Sequence, residues 1–390
     1  MRHGWEIKKL GEVCKLFTDG DWIESKDQSY KGIRLIQTGN IGCGEFNDKA
    51  DHYRYISEET FIRLNCTEIY AGDILISRLP DPIGRSCIIP RMPHRMITAV
   101  DCTIVRPENI INPNFLVYYT NSRPYQDEIN RYVTGAVRKR ISRKNLFKIP
   151  IPVPPLSEQE RIVVELDLLN DVIAKKREQL KQLDALAQSI FYDMFGDPIT
   201  NEKGWETKKL GDVFQTTSGG TPAKGHNEYY DNGTIPWLRS GEINKMYIYD
   251  TELYITELGL HNSSAKWFPT NTVVIAMYGA TVGQVGILCK EMTTNQAVCG
   301  IFPNDEFIPI YIYHFLLSKK NEYIEIAAGG AQPNISQNIV RNTLISCPPL
   351  SLQQQFASKI ESIEKQKELI KQSLSEVQQL FDSRMDYYFG

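Results

Sequence analysis

The ten residues Gly4-Trp5-Glu6-Ile7-Lys8-Lys9-Leu10-Gly11-Glu12-Val13 return almost unchanged as Gly204-Trp205-Glu206-Thr207-Lys208-Lys209-Leu210-Gly211-Asp212-Val213. Pro154-Pro155-Leu156-Ser157 returns as Pro348-Pro349-Leu350-Ser351, and Phe195-Gly196 as Phe389-Gly390, both at an offset of 194 residues. A period this long is no solenoid; it is a duplicated module with pseudo-two-fold symmetry. A duplicated binder suits a ligand with two half-sites.

The second constraint is a seam. Ile162, Leu166, Leu169, Ile173, Lys176, Leu180, Leu183, Ala187, Ile190 and Met194 follow one another in alternating steps of four and three. Shifted by 194, the seam reappears as Phe356, Ile360, Ile363, Lys367, Ile370, Leu374, Val377, Phe381, Arg384 and Tyr388. So strict a heptad argues for coiled-coil helices, natural partners of one another and antiparallel under a two-fold. Each seam carries one lysine, Lys176 or Lys367, which either fixes register or snorkels to the rim. Ser157 and Ser351 after the double proline are expected N-caps, with Glu160 and Gln354 as capping-box partners. At about 1.5 Å per residue each helix spans roughly 57 Å, against about 34–36 Å for one turn of B-DNA. Such a pair would hold two globular domains apart as a ruler.

The remainder reads as short β-type runs, including Gly32–Ile36, Asp73–Ser77 and Thr272–Met277, punctuated by Gly, Asn, Asp and Pro. Phe115–Thr120 and Tyr311–Leu316 are expected helices. The expected fold is mixed α/β: two repeated α+β domains, residues 1–153 and 197–347, separated by two long antiparallel coiled-coil helices, residues 154–196 and 348–390. With 390 residues there is ample chain for separate cores. No apolar run reaches membrane-spanning length and no signal peptide opens the chain, so the cytoplasm is the expected compartment. The eight cysteines are scattered without a Cys-x-x-Cys pair, as expected of reduced structural thiols.

A net charge of −3 argues against a uniformly basic nucleic-acid binder but leaves local basic patches open. One such patch runs from Arg131 to Lys148, with Arg138, Lys139, Arg140, Arg143 and Lys144 and no acidic residue. A glycine loop with Arg and Lys suits phosphate contact, and Arg also reads guanine edges; a solvated basic face is the alternative. The corresponding loop of the second half replaces charges with amides, among them Gln332 and Asn334, which suit adenine edges. Two further aligned loops add Arg78 and Arg85 against Tyr278, Thr281 and Gln284, and Gln37 and Asn40 against Arg239. For any one of these residues an ordinary turn or surface role is the competing reading.

Catalytic signatures are missing: no cofactor-binding Gly-x-Gly-x-x-Gly, no Walker loop, no nucleophile elbow, no Asn-Pro-Pro-Tyr and no paired histidines. Pro80-Asp81-Pro82 reads as a turn rather than a nuclease metal motif. No catalytic or metal-ligating residue is expected.

Taken together, Gly-Trp-Glu-x-Lys-Lys-Leu-Gly opening each half, Ser218-Gly219-Gly220-Thr221-Pro222, Ile235–Ile243, Tyr278–Gln284, Thr294-Asn295-Gln296-Ala297 and Pro-Pro-Leu-Ser-x-Gln before each helix carry a resemblance. The chain resembles the specificity subunit of type I restriction-modification systems along nearly its whole length. The resemblance implies two target-recognition domains, each reading half of a bipartite, asymmetric double-stranded DNA target. It implies helices that set the unread spacer and dock two methyltransferase subunits, with ATP-hydrolysing restriction subunits joining them. S-adenosylmethionine, ATP and Mg would belong to those partners, and this chain would hold no cofactor. Val164, Leu168 and Val172 on the outside of the first helix are the candidate docking face, or else pack on the neighbouring domain. The first half departs from the pattern at Thr18-Asp19-Gly20-Asp21-Trp22 and at Arg78-Leu79-Pro80-Asp81-Pro82-Ile83-Gly84. The rival functions are a coiled-coil scaffold without DNA and a degenerate stand-alone nuclease or methyltransferase.

Overall fold

The structure is a computed structural model that describes residues 4–49, 52–136, 138–328 and 334–390. The chain forms two compact units, one of residues up to Arg177 together with Gln372–Gly390, the other Glu178–Lys371. Both long helices, a central one (Leu156–Phe195) and a C-terminal one (Leu350–Phe389), contribute to each unit.

In the first unit Glu6–Lys9 pairs antiparallel with Pro150–Val153, the strand that leads into the central helix. A four-stranded antiparallel sheet has the order Cys14–Asp19, Cys102–Pro107, Ile74–Ser77, Ser86–Ile88. A second sheet is built round Ile33–Ile36, which runs parallel to Met96–Thr98. The second unit repeats this plan. Thr207–Lys209 pairs with Leu344–Ser346; Thr216–Ser218, Val298–Ile301, Val273–Ala276 and Val285–Leu288 form the antiparallel sheet; Ile235–Leu238 runs parallel to Met292–Thr294. The central strands Ile33–Ile36, Ile74–Ser77 and Val273–Ala276 are buried throughout, which is why they read as continuous apolar runs.

Every seam position of both helices is buried or half-buried, whereas their neighbours are largely exposed. Within each unit the helices pack antiparallel. Near the start of the central helix, Glu165 accepts from Arg384 near the end of the C-terminal helix, and Arg161 Nη1 donates to Tyr388 Oη at 3.2 Å. In the second unit Phe191 and Phe195 meet Phe356 edge-on, with ring centroids 5.7 and 5.2 Å apart. The seam lysines differ. Lys367 is held by Asp184 of the facing helix and by Glu364, each at 2.7 Å, while Lys176 is half-buried.

The helix starts correct one expectation. Both helices begin at the leucine before the expected serine cap: Glu158 and Gln159 donate their N–H to Pro155 O, and Leu352 and Gln353 to Pro349 O. The residue that matters is the buried glutamine. Gln159 Oε1 accepts the Asn112 N–H at 2.7 Å while its Nε2 donates to Ile110 O at 3.0 Å and Pro154 O at 2.7 Å. Gln353 repeats this with the Ile308 N–H at 2.9 Å and with Glu306 O and Pro348 O at 3.2 and 2.9 Å. Each glutamine thus ties the first turn of a long helix to the start of the expected shorter helix, Pro113–Thr120 or Pro309–Ser318.

His314 lies on the second of these shorter helices. Its ring stacks on Phe191 and meets Phe356 edge-on, and its Nε2 is buried without a hydrogen-bond partner among the described residues. Burial, assisted by the Lys367 charge, pushes the imidazole from 6.5 down to about 4.

Two outcomes are expected. Q159A and Q353A each strand buried backbone groups and lower stability in denaturant titration by about 1–3 kcal/mol, while exposed Q354A is near neutral. Below pH 6.5 the unfolded chain takes up a proton at His314 that the folded chain refuses until about pH 4. The neutral ring's contribution is therefore complete above pH 6.5, falls through that window by roughly 2–3 kcal/mol, and changes no further below it. H314F should flatten the stability-versus-pH curve by that amount between pH 4 and 6.5, and an unchanged curve would contradict the burial argument.

Candidate nucleic-acid interface

Antiparallel pairing puts Asp19, Ser77 and Cys102 at one end of the first unit's four-stranded sheet. The loop that leaves this end after Ser77 carries the candidates Arg78 and Arg85. Arg78 N–H donates to Asp101 O at 2.9 Å, and Ile141 N–H to Arg78 O at 3.2 Å, so the 98–101 and 134–143 segments are drawn to the same edge. Ile141 is fully buried, and Ser142 caps the short helix Arg143–Phe147 through its Oγ, which accepts from Asn145 N–H. Backbone bonds of 2.9 Å in both directions between Thr134 and Arg140 close the basic loop. Gly135 turns it with φ +105°, and a Cβ there would lie 2.4 Å from Arg138 O.

The structure separates the candidates of this unit into two groups. Arg85 is only 7% exposed and each of its guanidinium nitrogens donates to a carbonyl: Nε to Ile41 at 2.7 Å, Nη1 to Leu79 and Pro82 and Nη2 to Thr38, each at 2.9 Å. Arg78, equally buried, donates to Val100 O at 2.5 Å and lies 3.4 Å from Asp19. Asn40 accepts the Gln37 N–H at 3.0 Å and donates to Asn47 O at 2.9 Å. In this structure these three hold the loops in place rather than present free edges; Gln37, half-buried, sits beside them. Arg138, Lys139, Arg140, Arg143 and Lys144 are exposed. Arg138 pairs with Asp101 at 3.2 Å, and Arg143 Nη1 donates to Thr18 Oγ1 at 3.2 Å.

In the second unit Ile335 N–H donates to Met277 O at 2.9 Å, Ile335 is buried and Ser336 caps the next helix, as Ile141 and Ser142 do in the first. Tyr278 is half-exposed and paired through its backbone with exposed Asn334. Thr281 donates its hydroxyl to Tyr278 O at 2.9 Å, and Gln284 is half-buried. Arg239 is held by Glu242 at 2.9 Å and Glu252 at 2.6 Å. Gln332 lies outside the described residues.

Val164, Leu168 and Val172 form an exposed stripe on the central helix, 58%, 61% and 39% accessible. The equivalent positions of the C-terminal helix are Ser358, Ser362 and Gln366. Sequence reasoning missed Asp19, an acidic residue that lines an open depression of about 620 Å³ together with Arg143, Lys144 and Lys148 of the basic segment. Among the described residues no cluster of His, Cys, Asp or Glu has metal-binding geometry, and no helix is long and apolar enough to cross a membrane. Burial pushes the thiols of Cys87 and Cys102 up to about 12, far from a reactive or metal-binding range.

The model of the type I restriction modification DNA specificity domain matches this chain twice, over residues 2–185 and 202–379. The chain belongs to that family. As a specificity-domain protein its role is DNA recognition, and each match falls largely within one unit. It is 25% identical over 307 residues to the EcoR124I/EcoR124II specificity subunit of Escherichia coli, covering 75% of this chain and 72% of that one. It is 28% identical over 440 residues to the HindI specificity subunit of Haemophilus influenzae, covering 92% and 93%. The fold matches that of the type I restriction-modification S subunit from M. genitalium, with a TM-score of 0.57 and 13% identity over 99% of this chain and 96% of that one. It also matches a chain from a structure of type I R-M complex assembly and conformational transition, with a TM-score of 0.60 and 18% identity over 100% and 98%.

Removing Arg85 should therefore damage the frame and not merely one contact. R85A is expected to lose about 2–3 kcal/mol in denaturant titration, because four carbonyls lose their donors. R143A should stay within about 0.5 kcal/mol of the parent. Equal effects would refute the division into frame and reader.

Proposed function

We propose that the chain selects the DNA on which a type I restriction-modification complex acts, each domain reading one half of a bipartite, asymmetric target. The observation that carries this reading is one loop frame repeated with different side chains. Arg143 answers to Gln337, Arg138 to Gln332 and Arg140 to Asn334 at the common offset of 194. Arginine suits guanine edges and phosphates, and the amides suit adenine edges. A scaffold without a nucleic-acid ligand gives no reason for the two loops to diverge in this way while their buried anchors stay alike. Lys139, Arg140 and Lys144, exposed on the first domain, supply phosphate contacts and much of the salt-dependent affinity.

The chain supplies no chemistry of its own. Methylation and cleavage belong to methyltransferase and restriction subunits, which carry S-adenosylmethionine, ATP and Mg, and the assembly works on double-stranded DNA in the cytoplasm. Two methyltransferase subunits dock on the helices. The stripe of Val164, Leu168 and Val172 supports one such docking face, and the second subunit meets the more polar equivalent on the C-terminal helix. Two 40-residue helices, each about 60 Å long, set the length of the unread gap.

Methylome sequencing of cells with and without the gene, the methyltransferase partner active in both, tests this. Loss of adenine methylation at one split motif with a fixed gap is expected on deletion. An unchanged methylome would refute the recognition role.

A further inference from the structure

Among the described residues, Asp19 is the only acidic side chain lining the depression that Arg143, Lys144 and Lys148 share. A surface that served phosphates alone would be weakened by a carboxylate at that position. The carboxylate is also preorganised. Its Oδ1 accepts the Thr103 hydroxyl at 3.2 Å and lies 3.4 Å from Arg78 Nε, which is buried and has no hydrogen-bond partner among the described residues. Its Oδ2 stands 3.9 Å from Nε of Arg143, whose Nη1 rests on Thr18 Oγ1 at 3.2 Å. The Arg143 side chain is 48% exposed and that of Asp19 24%. A fixed acceptor and an adjustable two-pronged donor therefore sit side by side on one open face.

In the major groove a G·C pair presents two acceptors on guanine, N7 and O6, followed by the amino donor of cytosine. A guanidinium takes the first two and a neighbouring carboxylate takes the third. An A·T pair alternates acceptor, donor and acceptor, and leaves one member of this couple without a partner. We infer that Asp19 and Arg143 together read a single G·C pair in the first domain's half-site, Arg143 on guanine and Asp19 on the cytosine amino group. This rests on the recognition role proposed above.

The second domain has no such couple at the equivalent positions. Thr18, Asp19 and Arg143 correspond to Ser218, Gly219 and Gln337. Gln337 Oε1 accepts the Ser218 hydroxyl at 3.0 Å and its Nε2 donates to Thr216 O at 3.0 Å. A Cβ at Gly219 would lie 2.0 Å from Thr294 O, so no carboxylate can stand there. The Asp19–Arg143 reading therefore has no counterpart at Gly219 and Gln337.

The test is methylome sequencing of cells carrying the full-length chain with its methyltransferase partner, comparing the parent with R143Q, D19A and D19N. D19N keeps the size of the side chain and guards against a folding defect, and thermal melting of each purified chain checks for one. The parent motif is expected to hold a G·C pair at one position of one half. All three variants should relax or change the preference at that same base pair, by roughly tenfold or more, and leave the other half unchanged. Uniform loss of methylation across all motif sites, changes at different positions for Asp19 and Arg143, or parent-like selectivity would each overturn the inference. The two failures are separable. A methylome indifferent to deletion of the gene removes the recognition role and the inference with it. A gene-dependent motif that the variants read like the parent removes the inference alone.

Discussion

Each globular unit depends on two helix ends to complete its core. In the first, Ile162, Val163 and Leu166 arrive from the start of the central helix, and Tyr388 and Phe389 from the end of the C-terminal one, to pack with Phe115, Leu116 and Tyr125. In the second, Ala187, Phe191 and Phe195 meet Phe356, Ala357 and Ile360 round Tyr311 and Phe315. A fully buried side chain of this size is stabilised by about 1.5–3 kcal/mol, so losing either helix end would open several such contacts at once. The buried glutamines add direction to this apolar packing. Each pins one helix start to one short helix, which leaves the seam a single register to adopt.

Above that base, arginines divide between frame and surface. A buried guanidinium is tolerable only when its donors are satisfied. Arg85 meets that condition with carbonyls from Thr38, Ile41, Leu79 and Pro82, and in doing so joins two loops that strand topology alone would leave independent. The second domain has Gln284 at the matching place and Glu242 closing the neighbouring turn through the Arg239 N–H, at 3.3 Å. The frame is therefore met by different chemistry in the two halves, and side chains on its outer surface are free to differ.

Much of this was legible in the sequence because repetition and periodicity are local properties. The 194-residue offset located both long helices, and the alternating steps picked out their buried faces down to Arg384 and Tyr388. The helix caps were misread by two residues, since Ser157 fits the rule for an N-cap while the buried role of Gln159 depends on Ile110 and Asn112, nearly 50 residues earlier. Arg78 and Arg85 looked like readers for the same reason. An arginine in a polar loop advertises charge, and only the folded chain supplies the carbonyls that bury it. Asp19 escaped notice because it enters the basic surface from a strand end more than a hundred residues away in sequence.

The burial of Tyr388 and Phe389 also bears on the order in which the chain matures. Domains generally fold as they leave the ribosome, the amino-terminal one first. Here the first domain's core waits for side chains from the last turn of the last helix, whereas the second domain finds Phe195 and Phe356 on either side of it in the chain. The domain made first is therefore completed only after the second has been made, when the C-terminal helix brings Tyr388 and Phe389 to it.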